Sequence, residues 1–264
     1  MFVGVDLAWA VDQRHSGIAV MEGGRSGVRL TRIAPPIHSL EGVIQLIAEH
    51  LNECMLVAVD ASLIVPNEAG QRPCEREIGR AFGRYGASCH SSNRNRPHFD
   101  SGERLVRSLQ PHEFAHGYPL PQGGCGRWVI EVYPHPAMVR LFGLARILSY
   151  KKGLISQRRA GLRLLQGHLG RLMGRRSGLS SSPSLERLLR EEPGRRAGQA
   201  LKQLEDQLDA VLCAYLAWHV WRWGEVRNEV FGDLASGYVV VPRSGSTPAP
   251  GRKGERHARR LPKA

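Results

Sequence analysis

The chain has 264 residues, with 37 Lys/Arg against 24 Asp/Glu and a net charge of +13. A chain of this length buries a full core without disulfide staples, and a basic surface favours a polyanionic partner, most often nucleic acid. The most apolar stretch, 208–223, contains Asp209, His219 and Arg222, which makes it too short and too polar to span a bilayer.

Residues 2–9 read as a first strand. Residues 17–21 and 28–33 read as two more, joined by the turn 22–27 to give an antiparallel meander. Pro35-Pro36 breaks the chain. Ser39 then caps a helix through about Leu51, with Val43, Leu46, Ile47 and Leu51 at helical spacing. The run Met55–Val59 is a buried strand that leads into Asp60. A helix between strands implies a crossover and a parallel pairing there.

Residues 61–126 are rich in Gly, Pro, Asn, Arg and His. They read as an insertion over one end of the sheet, with short helices near 74–85 and 101–109. A clear strand follows at 127–133, then helices at 136–143 and 155–173. Segment 174–198 is polar and loose. A long helix covers 199–223, and 238–241 is a last short strand. The fold class expected is α/β: a mixed sheet of three antiparallel strands followed by parallel strands, with helices on both faces.

Residues 243–264 carry seven Lys/Arg and one Glu among Pro, Gly and Ser. They are expected to form a basic disordered tail. The N-terminus lacks a basic leader and a cleavage site, so no signal peptide is expected. The cysteines are five, with no C-x-x-C pair, which points to reduced thiols and a cytoplasmic protein. Cys74, Cys89, His90 and His98 fit no standard zinc spacing.

The chemistry rests on carboxylates attached to apolar runs. Phe2-Val3-Gly4-Val5 ends in Asp6, Met55–Val59 ends in Asp60, and Glu131 sits inside Trp128–Val132. An ionised carboxylate on a buried strand is costly unless it is paired or binds metal. Asp206 and Asp209, spaced i, i+3, share one face of the long helix. Converging carboxylates repel one another, and hard oxygen ligands select Mg²⁺ or Mn²⁺. Two such ions about 4 Å apart can clamp the attacking and leaving oxygens of a phosphodiester. Each carboxylate also has a bland reading, as a strand end, a turn or a helix terminus. Glu131, in mid-run, fits none of these.

Seven segments occur in order: Gly4-Val5-Asp6-Leu7-Ala8-Trp9, Val57-Ala58-Val59-Asp60, Arg72-Pro73-Cys74-Glu75-Arg76-Glu77, Glu131-Val132-Tyr133-Pro134-His135-Pro136, Tyr150-Lys151-Lys152-Gly153, Asp206-Gln207-Leu208-Asp209-Ala210 and Gly237-Tyr238-Val239-Val240-Val241-Pro242. Across residues 2–242 the sequence resembles an uncharacterised family of predicted nucleases with an RNase H-like fold, the domain of unknown function 429 type. The acidic helix is also similar to that of Holliday-junction resolvases. The resemblance implies an RNase H-like nuclease domain over 1–242 and an acidic metal site. Asp6, Asp60, Glu131 and Asp209 would be its catalytic carboxylates, with Asp206 as a helper and Mg²⁺ or Mn²⁺ as cofactor.

Arg72, Arg76 and Arg80, at i, i+4, i+8, are expected to form a basic helix face. With Lys151 and Lys152 they are the candidates for holding DNA or RNA phosphates. The competing readings are an ATP-using phosphotransferase or ATPase of the related actin-like fold, a non-catalytic nucleic-acid-binding protein, and a structural or regulatory partner. Gly23-Gly24 and Gly123-Gly124 do not follow a strand and open a helix, so they are poor phosphate loops.

Overall fold

The computed structural model describes residues 1–174 and 177–244. Continuous buried runs form the strands β1 (Phe2–Asp6) and β2 (Gly17–Gly24), and a more alternating one forms β3 (Gly27–Ile33). Ser39 caps α1 (Leu40–Ala48) by accepting the Gly42 N–H at 3.0 Å, and β4 (Cys54–Val59) follows. The insertion holds α2 (Pro73–Phe82), α3 (Ser101–Leu109) and β5 (Phe114–His116). Then come β6 (Gly126–Glu131), α4 (Pro134–Phe142), α5 (Ile155–Arg171), β7 (Leu179–Ser180) and α6 (Pro183–Arg190). The chain continues with α7 (Gly198–Arg227), β8 (Asn228–Asp233) and β9 (Gly237–Pro242).

The main sheet has the order β5-β6-β4-β1-β2-β3-β7. β1, β2 and β3 are antiparallel, while β1-β4, β4-β6 and β6-β5 are parallel. This is the mixed α/β layout expected from the sequence. The two-residue alternation sorts the strands onto two faces. Phe2, Ala19, Met21, Leu56, Ala58 and Ile130 pack under α4, α5, α6 and α7. Val3, Val5, Ile18, Val57, Val59 and Val129 pack against α1 and α3. β8 and β9 form a hairpin against α2.

Three expectations need correction. The insertion is not only loops over the sheet, because β5 pairs with β6 and extends it. The segment 174–198 contains β7 and α6, whose Leu185 and Leu188 are buried. Cys54 and Cys125 form a disulfide with Cα atoms 4.5 Å apart, so only Cys74, Cys89 and Cys213 are free thiols. The pairing of Cys54 with Gly126 brings Cys125 alongside Cys54, which a separation of 71 residues conceals in the sequence.

Of the expected tail, Arg243 is tied to the hairpin: its N–H donates to Arg227 O at 2.8 Å and its Nε to Asn228 O at 2.9 Å. Residues 245–264 lie outside the described residues. Among the described residues no helix is long and apolar enough to cross a membrane.

Candidate functional site

The acidic residues meet at the carboxyl ends of β1 and β4. These two strands are neighbours, and the Asp60 N–H donates to Val5 O at 2.8 Å. By alternation Asp6 follows Phe2 and Gly4, and Asp60 follows Leu56 and Ala58, so both carboxylates face α7. α7 reaches them because glycines stand where it crosses the strands. A Cβ on Gly4 would lie 2.1 Å from both Ala210 O and Ala214 N, and one on Gly17 would lie 2.4 Å from Asp206 O. The helix backbone therefore rests directly on β1 and β2. That contact drives Asp206 and Asp209 into the strand ends.

Four aspartates are thus gathered with two lysines. Lys151 Nζ lies 2.8 Å from Asp209 Oδ2 and 3.8 Å from Asp60 Oδ2. The Tyr150 hydroxyl donates to Asp209 Oδ1 at 2.7 Å. Lys202 Nζ donates to Asp206 Oδ1 and, at 2.7 Å, to Glu205 Oε1. His15 Nδ1 stands 2.9 Å from Asp206 Oδ2. Asp206 Oδ2 and Asp209 Oδ2 are buried oxygens that receive no aligned hydrogen bond among the described residues.

Burial, and then the repulsion of the neighbouring carboxylates, pushes Asp60 up to about 8 despite the opposing pull of Lys151. Burial and Asp6 likewise push Asp206 up to about 8, against Lys202. Asp6 is raised by burial too. Burial would by itself lower the Lys151 ammonium, but Asp209 and the adjacent acids outweigh it, and the ammonium is held well above its usual range. Two ammonium groups face four carboxylates, so the cluster at full ionisation is short of positive charge, and protons make up the difference.

The cluster forms the floor of a cleft of about 1060 Å³, with Asp6, Asp60 and Asp206 below and Arg14, Lys152 and His90 at the rim. His135 lines the same cleft. Burial, with Lys151 nearby, lowers this imidazole to about 4, and its buried Nδ1 has no hydrogen-bond partner among the described residues.

Glu131, Arg72, Arg76, Arg80 and Lys151 stand differently from expectation. Glu131 pairs with Val59 across β4 and β6, so it shares the face of Val59, opposite that of Asp60. There it accepts Arg72 Nη2 at 2.6 Å, Arg72 Nη1 at 3.0 Å and the Leu63 N–H at 2.8 Å. With its oxygens engaged in this way it is tied into a buried ion pair with Arg72, apart from the four aspartates. Arg72 is correspondingly 2% exposed. It also donates through Nε to Glu75 Oε1 at 2.9 Å and through Nη1 to Ile64 O at 3.0 Å. It clasps the insertion to the sheet and offers no surface to phosphate.

Arg76 and Arg80 are exposed on the outside of α2, away from the cleft. Lys152 reaches the rim, 3.3 Å from His90 Nε2. Lys151, expected among the phosphate holders, is inside the acid cluster. Tyr150, Lys202 and His15 are additional members of the site. Lys202 is visible in the sequence, four residues before Asp206 on one helix face. His15 gives no such signal, since only the connection between β1 and β2 brings it to α7.

The donor set suits a hard divalent cation: aspartate oxygens, two of them buried without an aligned hydrogen bond, and uncompensated negative charge. No ready-made cage is present, for among the described residues no three His, Cys, Asp or Glu side chains stand as a metal-holding group. The Lys151 ammonium lies among the carboxylates that a cation would draw together.

The model of one family, described as "Protein of unknown function (DUF429)", matches residues 4–233, which include the end of β1, all of β4, β6 and α7, and every acid of the cluster. No curated protein matches the sequence.

Proposed function

We propose that this chain, which belongs to the DUF429 family, is a metal-dependent nuclease that hydrolyses phosphodiester bonds in nucleic acid. The observation that carries this reading is the convergence of Asp6, Asp60, Asp206 and the fully buried Asp209, the first three lining one cleft with a cationic rim. The strand order, an antiparallel meander followed by parallel strands, supports an RNase H-like description of the sheet. A cytoplasmic setting rests on the three free thiols alone, because the Cys54–Cys125 disulfide counts against it.

The four aspartates are the residues that would hold the cation, and the charge balance favours one ion over two. Glu131 is committed to Arg72, and Lys151 and Lys202 already offset part of the charge. Bound Mg²⁺ or Mn²⁺ would supply positive charge to the phosphate and make a bound water more acidic. Arg14 and Lys152 at the rim hold the phosphates on either side. Lys151, between cleft and cluster, binds a non-bridging oxygen and offsets the charge that grows on it. Asp60, which otherwise keeps its proton up to about 8, would lose it to a bound cation, and the freed carboxylate would accept the proton of the attacking water. The new P–O bond forms in line with the one that breaks, and the leaving oxygen takes up a proton from solvent.

The deciding experiment offers labelled single strands, duplexes, hybrids and branched DNA with Mg²⁺ or Mn²⁺, with Asp6→Asn as control. Cleavage that needs the ion and disappears in the variant supports the reading. No cleavage of any of these substrates, or equal cleavage by the variant, sinks it.

A further inference from the structure

Trp9 differs from the other four tryptophans of the chain. Trp218 is buried and its indole N–H donates to Gly24 O at 2.9 Å. Trp221 donates to Gly124 O at 2.7 Å and packs on Phe2. Trp128 is packed against the core, and Trp223 lies under the guanidinium groups of Arg222 and Arg227. Trp9 is 45% exposed. Among the described residues its indole has no hydrogen bond, ring partner or cation above it.

Its backbone, by contrast, is held. Ser101 Oγ donates to Trp9 O at 2.6 Å, tying the loop after β1 to the start of α3. The residue lines three neighbouring hollows. One is the acid cleft; the second, of about 90 Å³, reaches Asp60 and His90; the third is a small recess walled by Ala61, Phe99 and Gly102. An exposed indole on a held backbone three residues beyond Asp6, in a cleft that carries Arg14 and Lys152, combines the two elements of single-strand binding. The ring offers a face to a base, and the cations track the flanking phosphates. A base inside a duplex has both faces covered by its neighbours and cannot use such a ring without leaving the stack.

We propose that Trp9 stacks on one unpaired base of the strand whose phosphate reaches the aspartates. The cleft then takes single-stranded nucleic acid, or a strand with a base turned out of its helix, in preference to continuous duplex. This rests on the nuclease reading of the cleft.

The test measures binding by fluorescence anisotropy on the full chain, in EDTA and again in Ca²⁺. The probes are labelled oligo-dT and oligo-U of about twelve nucleotides, an abasic strand of equal length, and a blunt duplex. Trp9→Ala should weaken the oligo-dT or oligo-U complex by about 5- to 100-fold, and the stronger arm names the sugar. Trp9→Phe should keep most of the affinity, and the abasic strand should be indifferent to either change. Circular dichroism on both variants checks the fold. Equal affinity of wild type and Trp9→Ala for both strands, or an equal loss on the abasic strand, overturns the stacking role and leaves the nuclease reading standing. A wild type that neither binds nor cleaves any strand overturns both.

Discussion

Replacing Glu131 by alanine separates a structural acid from a metal ligand. In the folded protein Glu131 accepts two hydrogen bonds from the Arg72 guanidinium and one from the Leu63 N–H. Arg72 is 2% exposed, so water cannot replace the lost partner. Removing one side of a buried ion pair costs ~3–5 kcal/mol. The orphaned Leu63 N–H adds ~1–3 kcal/mol. Glu75 still holds Arg72 Nε, and Ile64 O still accepts from Nη1, which keeps the sum near the lower end, about 4 kcal/mol. For a chain of this size that is a fall of roughly 8–16 °C in Tm. Thermal and urea unfolding of Glu131→Ala would measure it. The double variant Glu131→Leu with Arg72→Met should regain much of the loss, because apolar residues of similar volume replace a buried pair at little cost. If Glu131→Ala unfolds with the wild type but loses its affinity for Mn²⁺, Glu131 is a ligand and the structural assignment fails.

Other outcomes follow from the same geometry. In metal-free protein Asp60 and Asp206 keep protons up to about 8, whereas the unfolded chain releases them near 4. The stability they contribute is therefore full below about pH 4 and is lost as pH rises through about 8. Saturating Mn²⁺ should flatten that slope and release protons, as calorimetry in buffers of different ionisation enthalpy would read; a slope untouched by Mn²⁺ contradicts a cation at these acids. Asp60→Asn should unfold no earlier than wild type at pH 8, since it removes a repelled charge, while strand cleavage falls by roughly 100-fold or more; a variant that is both active and destabilised argues against Asp60 as a site residue. Lys151→Ala exposes the buried Asp209 carboxylate to loss of its partner at 2.8 Å, and should cost ~3 kcal/mol without metal, with partial recovery in Mg²⁺; unchanged stability means that the ammonium does not compensate Asp209. Gly4→Ala places a methyl 2.1 Å from Ala210 O and Ala214 N. It should destabilise by ~3 kcal/mol or more as α7 is pushed off β1, and normal stability with normal cleavage would show that α7 can shift at no cost.

What the sequence determines here is what neighbouring residues encode. The strands, the capped α1, the crossover before Asp60 and the long α7 all follow from apolar spacing of two or 3.6 residues within short windows. Asp6 and Asp60 were legible because each closes an apolar run, and Asp206 with Asp209 because i, i+3 fixes a common helix face. The hairpin strand β8, the short β5 and β7, and α6 were not, since their patterns are too brief or too polar to stand out. Only the tertiary structure decides which face a strand residue takes in the assembled sheet, and Glu131 is the case in point. Its run is as apolar as those of Asp6 and Asp60, but the register with Val59 turns it to the opposite side and into the arms of Arg72. The same holds for Lys151 among the acids and for Cys54 beside Cys125. Local periodicity depends on the backbone dihedrals of a few adjacent residues, whereas these meetings depend on register and crossover between segments far apart in the chain, about which no single segment carries information.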